Sequence, residues 1–418
     1  MLPFILRSIR HYRRTHLVVM LAVAVSTAVI GGSLIVGDSV RGSLREMTLS
    51  RLGGISHVLH SPRFVREQLA DELTANGLGE LKTSRGAPAL LLPGSVEKKV
   101  ASGGVRRAAS VSILGMRTAD WSMLDTSATG ITEGQPVQAP RDAGIVLGHR
   151  TATELGAVVG DSVSVWVELP SSIPRDSLLG EREDIALEMV LTVEGILGET
   201  VGASRFSLQP AQQLPYNAFV LLTTFQQRLN LEERVASPRN PIARSARVNT
   251  ILIGGDERPD PAETRSNSGL AAMMQADADN ATLLQSRLLS AISLDDLGIR
   301  VRPIDDRGYL SVESDSMIIE DSISEAVLKA AEQMGMKAAP TLVYLANELN
   351  AANRTDDKSR YSMYSIVAGL DLDLPAPLGP MQLSDGTPVS KLSDNDMILS
   401  EWLAADLQVA VGDTLQAR

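Results

Sequence analysis

Ile145–Asp161 reads IVLGHRTATELGAVVGD, and Met397–Asp413 reads MILSEWLAADLQVAVGD. The two align without a gap at an offset of 252 residues, and the same register carries back to Gly134-Gln-Pro136-Val137 against Gly386-Thr-Pro388-Val389. At that offset Ala87-Pro88-Ala89-Leu90 meets Ala339-Pro340-Thr341-Leu342, and Ile113-Leu114-Gly115 answers Val367-Ala368-Gly369 after a slip of two. Self-similarity at one fixed spacing marks one supersecondary unit used twice. Each copy is read as a helix ending in a Val-Gly-Asp turn. Gly160 and Gly412 permit the left-handed conformation, and Asp161 and Asp413 can bond their own backbone.

Working outward, Ser61-Pro62 offers an N-cap and first-turn proline for a helix with Val65, Leu69 and Leu73 on one face and Gly77 as its stop. In the second copy Ser322-x-x-Glu325 reads as a capping box, with Leu328, Ala331 and Met334 on one face and Gly335 ending the helix. Strand-like runs follow at Leu90–Leu92 and Val111–Leu114, and again at Leu342–Leu345 and Tyr364–Val367. The first copy continues through Ser162–Val167, Met189–Leu197, Ala218–Leu222 and Val248–Ile253. Stretches rich in Pro, Ser, Asn, Asp and Arg read as loops: Pro170–Asp184, Glu232–Arg247 and Gly255–Ala281. The expected class is α+β, with mixed small sheets carrying helices on one face. The second copy stops at Arg418, the counterpart of Trp166, so it is read as incomplete and the chain as a fragment or a truncated reading frame.

Leu17–Gly37, LVVMLAVAVSTAVIGGSLIVG, is 21 residues without a charge. At 1.5 Å per residue it spans about 30 Å, the hydrocarbon thickness of a bilayer. A buried core helix rarely stays uncharged for so long, and the apolar part of a cleaved signal peptide runs to only about 7–15 residues. Arg7, Arg10, Arg13 and Arg14 precede the segment with no acid among them, which places the N-terminus in the cytoplasm by the positive-inside rule. Leu2, Ile5, Leu6 and Ile9 share one helical face opposite Arg7, Arg10, His11 and Arg14, a pattern that fits either a short interfacial helix lying along membrane lipid or a plain topogenic charge cluster. The organisation read from the chain is therefore a cytoplasmic segment over 1–16 and a membrane helix over 17–37. A first module over 38–254, a linker and connecting subdomain over 255–307, and a second, incomplete module over 308–418 follow.

The net charge of −11 becomes more negative once the arginine-rich start is set aside. An acidic body is poorly suited to holding phosphates, so nucleic acid is not an expected partner. Cysteine is absent, which excludes disulfides, thiolate zinc sites and cysteine nucleophiles.

The membrane helix with arginines before it, Leu52-Gly53, and the runs SILGMRTADWSML, EGQPV, IVLGHRTATELGAVVGDSV and LTVEGIL resemble the start of ABC-transporter permeases of the MacB/FtsX/LolC type. The likeness covers about residues 1–250 and is echoed in 308–418. It implies a periplasmic core domain of the MacB kind, a bacterial inner-membrane location with the bulk of the chain outside the cytoplasm, and a homo- or heterodimer of permeases. It also implies a cytoplasmic ATPase subunit whose work moves the outer domain, for lipoprotein, lipid or peptide export. The three further membrane helices of that family and a Gly-x-x-x-x-Gly-Lys-Ser/Thr phosphate loop are missing here. A singly anchored periplasmic scaffold for an envelope partner is the alternative.

Catalytic readings are weak, and the chain is read as a non-enzyme without cofactor or metal. Gly37-Asp38-Ser39-Val40 and Gly160-Asp161-Ser162-Val163 resemble a serine-hydrolase block, but none of His11, His16, His57, His60 and His149 sits in a late Asp-x-x-His. His57 and His60 lack an evident third ligand. Asp305-Asp306 and Asp371–Asp373 read as solvated turns, and Met273-Met274 as core or loop fillers.

Overall fold

The computed structural model describes residues 7, 10–75, 84–100, 103–124, 137–168, 186–200, 202–209, 213–237, 243–255, 267–316, 318–351, 361–389 and 391–417. The face read over residues 1–9, Gly77, Gly134-Gln-Pro136 and the Pro170–Asp184 loop lie largely or wholly outside these residues, as do the side chains of Met273 and Met274. Two compact units are present, one up to Leu297 and one from Gly298 onward.

Helix α1 (Arg13–Leu52) has 40 residues, about 60 Å at 1.5 Å per residue. Arg13–Leu44 is long and apolar enough to cross a membrane, and its apolar window is uncovered by protein. Leu17, Met20, Leu21, Val25, Ile30 and Leu34 all face outward. A core helix would bury one such face. The helix also runs 15 residues beyond the expected end at Gly37.

The first unit continues with β1 (Ile55–Arg66), α2 (Leu69–Thr74), β2 (Arg85–Lys99), β3 (Val105–Met116), β4 (Gly144–Leu147), α3 (His149–Leu155), β5 (Ser162–Glu168), β6 (Ala186–Ile196), β7 (Tyr216–Leu221), α4 (Leu222–Arg228), β8 (Arg247–Gly254) and α5 (Asn267–Ala291). All eight strands join one sheet in the order β1-β8-β2-β3-β7-β4-β6-β5, and β5 returns to pair with β2. Six strands therefore form a closed ring, with β8 and β1 attached beyond β2. The expected small separate sheets are replaced here by one large mixed sheet. β3 and β7 are parallel, as are β4 and β6; the other pairs are antiparallel. β5 shows why these residues make strand: Val163, Val165 and Val167 alternate into the core while Ser162 and Glu168 stay outside. β4 (GIVL) is buried throughout because neighbours flank both its edges. One face of the sheet carries Leu90, Ile113, Val165 and Val220 beneath α2, α3 and α4; the other carries Leu114, Met116 and Phe219 beneath Trp121 and Phe206.

The second unit contains β9 (Ile299–Ile304), β10 (Tyr309–Ser314), α6 (Asp321–Gln333), β11 (Thr341–Ala351), β12 (Tyr361–Leu370), β13 (Met381–Gln382), β14 (Pro388–Val389), α7 (Glu401–Leu407) and β15 (Leu415–Ala417). Its sheets are small: β10-β9, β12-β11-β15 and β13-β14.

Several expectations need correction. Ser61 and Pro62 lie inside β1, and α2 starts only at Leu69, because β1 gains a long antiparallel partner in β8. Pro62 is accommodated where the register slips between His60 and Val65. The Ser322 capping box is not formed: Glu320 is the N-cap of α6 and makes no side-chain cap. The loop expected over Gly255–Ala281 is helical from Asn267, and Leu283, Leu284, Leu288 and Ala291 of α5 pack on the first unit's core. The first unit reaches Leu297. Finally, α3 stops at Gly156 in a left-handed cap, five residues before Asp161, so the Val-Gly-Asp turn starts β5 rather than ending the helix.

Candidate functional site

Helix α1 enters the first unit with only Gly53 and Gly54 before β1. Gly53, at φ +63, ends α1, since a left-handed residue halts helical hydrogen bonding. Gly54 N–H donates to the Met123 carbonyl at 2.9 Å, and Gly255 N–H donates to the Gly54 carbonyl at 3.1 Å. A Cβ on Gly54 would stand 1.9 Å from the Gly255 oxygen, and one on Gly254 2.0 Å from the Gly54 oxygen. No side chain fits at either place. Leu52 packs against the cluster containing Ile55, Met123 and Phe206, in which Trp121 meets Phe219 edge-on at 5.6 Å. Trp121 Nε1 donates to the Val137 carbonyl at 2.8 Å, so the buried indole is satisfied.

A second attachment fixes the far end of the unit. Asp296 has a fully buried side chain and accepts from the Arg66 backbone N–H at 2.8 Å and from Arg66 Nε at 3.0 Å. Arg66 also reaches Glu72 Oε1 at 2.9 Å. Burial pushes the Asp296 carboxyl up, but hydrogen bonds from Arg66 and Ser293 outweigh it and hold the group below the usual carboxylate range. Arg247 donates to the Asp295 and Phe64 carbonyls, each at 3.0 Å, and Arg63 to the Leu297 carbonyl at 3.2 Å. Nothing in the local sequence announced this clasp, because its partners are more than 200 residues apart for Arg66 and Asp296.

The two glycine–aspartate turns take one geometry. Gly160 and Gly412 sit at φ +95 and +99. Asp161 Oδ2 accepts from Val158 N–H at 2.7 Å, and Asp413 Oδ2 from Ala410 N–H at 2.8 Å. Among the described residues only the first has a cationic partner: Lys98 Nζ donates to Asp161 Oδ2 and to the Gly156 carbonyl, both at 2.6 Å. The Lys98 hydrogen bond holds the Asp161 carboxyl below its ordinary range. The residue at the Lys98 position of the second copy is Asn350. These turns shape the chain rather than gather reactive groups.

Arg7, Arg10, Arg13 and Arg14 are exposed and helical ahead of the apolar segment. Ser39 lies within α1 and Ser162 opens β5. His57 and His60 are three apart on β1, and each Nδ1 meets a hydroxyl, Ser56 Oγ at 3.0 Å and Thr250 Oγ1 at 2.9 Å. Among the described residues no three metal-ligating side chains come together.

No family model matches this chain, and no curated protein matches it. Among solved structures it is similar to the crystal structure of the periplasmic region of MacB from Actinobacillus actinomycetemcomitans. That likeness has 10% identity and a TM-score of 0.28, over 65% of this chain and 90% of that chain.

Proposed function

We propose that this chain is a permease-type subunit of an ABC transporter, anchored once in the inner membrane through α1, that carries motion between the membrane and its outer domain. The observation that supports the reading is the Gly53-Gly54 joint. A helix of about 60 Å that runs through Gly53-Gly54 into β1, with Gly54 bonded to the Met123 and Gly255 backbone, passes displacement into the first unit without loss in a flexible linker. The sequence resemblance to MacB-type permeases supports the same reading. In it, Arg7, Arg10, Arg13 and Arg14 hold the N-terminus in the cytoplasm and the two units lie outside. A cytoplasmic ATPase subunit supplies the energy, a second permease completes a dimer, and the cargo is a lipoprotein, lipid or peptide. The chain itself performs no catalytic step.

Purification of the full chain from native membranes in mild detergent tests this. Co-elution of an ABC ATPase is expected. Recovery of an envelope protein without any ATPase would replace the permease with a singly anchored scaffold. Orientation is checked separately: with no native cysteine, Val235→Cys on the exposed first unit should react with a membrane-impermeant maleimide on intact spheroplasts.

A further inference from the structure

β2 and β3 continue past the ring as a hairpin. β2 pairs with β5 only from Gly94 to Glu97, and β3 with β7 only from Val111 onward. Beyond them Lys98 faces Arg106 and Lys99 faces Val105, with no further strand partner among the described residues. Like charges placed directly opposite each other repel, and Asp161, bonded to Lys98, offsets one of them. Lys99 and Arg106 are exposed and have no anionic partner among the described residues. The hairpin is fastened to the turn between α3 and β5: Lys98 Nζ also donates to the Gly156 carbonyl, and the Arg106 guanidinium lies where a Cβ on Gly156 would stand. Val105 on the hairpin and Val158 and Val159 on the turn are each more than half exposed. The first unit thus holds cations among uncovered valines, on a chain whose net charge is −11. The Gly-Asp turn does not require those cations. The second copy carries Asn350 and Ala351 at the places of Lys98 and Lys99, and Asp413 still accepts from Ala410 N–H. The surface is also remote from α1. Arg85 pairs with Gly254, which pairs with Ile55 beside α1, and Lys99 is at the other end of the 15-residue β2, about 46 Å away at about 3.3 Å per residue.

We propose that this surface is a docking site for an acidic, aliphatic-rich segment of a separate soluble protein. Carboxylates of such a segment meet Lys99 and Arg106, and its aliphatic side chains cover Val105, Val158 and Val159. Charge complementarity supplies selectivity and speed of encounter, and burial of the valines supplies affinity. An anionic phospholipid surface offers the same charge, but a bilayer holding α1 lies at the other end of β2. This inference does not rest on the permease reading.

Full chain in detergent, titrated with a fluorescent EDLVEDLV peptide and followed by hydrogen exchange, tests the proposal. Saturable binding is expected, with exchange at least tenfold slower across 98–100, 103–106 and 157–161 and unchanged across 409–413. A QNLVQNLV peptide keeps the aliphatic groups and an EDSSEDSS peptide keeps the acids; each should bind at least tenfold more weakly. Both controls use the unaltered chain, so they hold even where a variant misfolds. The Lys99→Glu, Arg106→Glu double variant should lose at least tenfold in affinity for EDLVEDLV. Absence of saturable binding, equal binding of either control peptide, or undiminished binding by the double variant would overturn the proposal. So would equal protection of the same residues by anionic phospholipid vesicles, which would make the surface a lipid site. Protection that grows with chain concentration before any peptide is added would also overturn it, because a second copy would then be the occupant.

Discussion

The β2–β3 and β11–β12 hairpins share a register as far as Gly94↔Val111 and Ala346↔Ser365, and Ser110 and Tyr364, at matching positions, both have positive φ without being glycine. Their burial differs at the start of the hairpin. Leu90 is 0% exposed and its counterpart Leu342 is 53% exposed. Ile145, in β4, is 0% exposed, whereas Met397 at the same place is 42% exposed and belongs to no strand. Local sequence therefore suffices for the hairpin, the helix that follows and the Gly-Asp turn, because their hydrogen bonds close within short loops. It does not suffice for β4, whose backbone partners are β6 and β7 and whose strand exists only between them. What the second copy retains is a small core of Ala346, Leu349 and Leu407 with Val367 and Leu415 beside it, the minimum that three strands and one helix can bury.

The contrast predicts unequal costs for matched changes. Asp296→Ala should destabilise the first unit by about 3–5 kcal/mol, since it strands Arg66 in a buried position. Glu313→Ala, which removes the exposed Arg302–Glu313 pair between β9 and β10, should cost the second unit under about 1 kcal/mol. Denaturant-dependent hydrogen exchange, resolved by unit, reads both, and similar losses would break the contrast. Leu90→Ala should cost about 2–5 kcal/mol through transfer and cavity terms, and Leu342→Ala no more than about 0.5 kcal/mol. Should the two prove equal, Leu342 must be covered in solution.

Smaller effects sharpen the comparison. The left-handed helix cap is Gly156 in one copy and Gln408 in the other. A β-carbon is unfavourable there by about 1–2 kcal/mol, so Gln408→Gly should stabilise the second unit and Gly156→Gln should destabilise the first, in thermal unfolding. At the turns, Asp161→Asn should cost about 1 kcal/mol more than Asp413→Asn at pH 7, because Asp161 has a lysine partner and Asp413 has none among the described residues. Its folded-state pKa is depressed, so this stability is present above the unfolded value of about 3.9 and is lost as pH falls through the lower folded value. The gap between the two variants should close in that acid range, and a gap that persists there would rule out the lysine pairing as its source.

Much of the architecture was legible in order and in type. The apolar run, the duplicated segment and strands such as Ser162–Val167 and Met189–Leu197 are periodic or punctuated within a few residues, which is the range that sequence patterns report. The misreadings share a cause. Ser61-Pro62 carries good helix-start chemistry, yet pairing with β8 nearly 200 residues away makes it strand. Asn267–Ala291 begins in loop-like composition, but Leu283, Leu284 and Leu288 have a core to cover.

By itself the sequence determined the long apolar helix, the repeat and the turns at Gly160-Asp161 and Gly412-Asp413, because hydrophobic length and backbone conformation are local properties. Only the tertiary structure decided that six strands close into a ring, that Gly54 presses on Gly255 and that Asp296 is gripped by Arg66. Each of these is a hydrogen bond or close contact between residues distant in sequence, and neither partner's neighbours record the other.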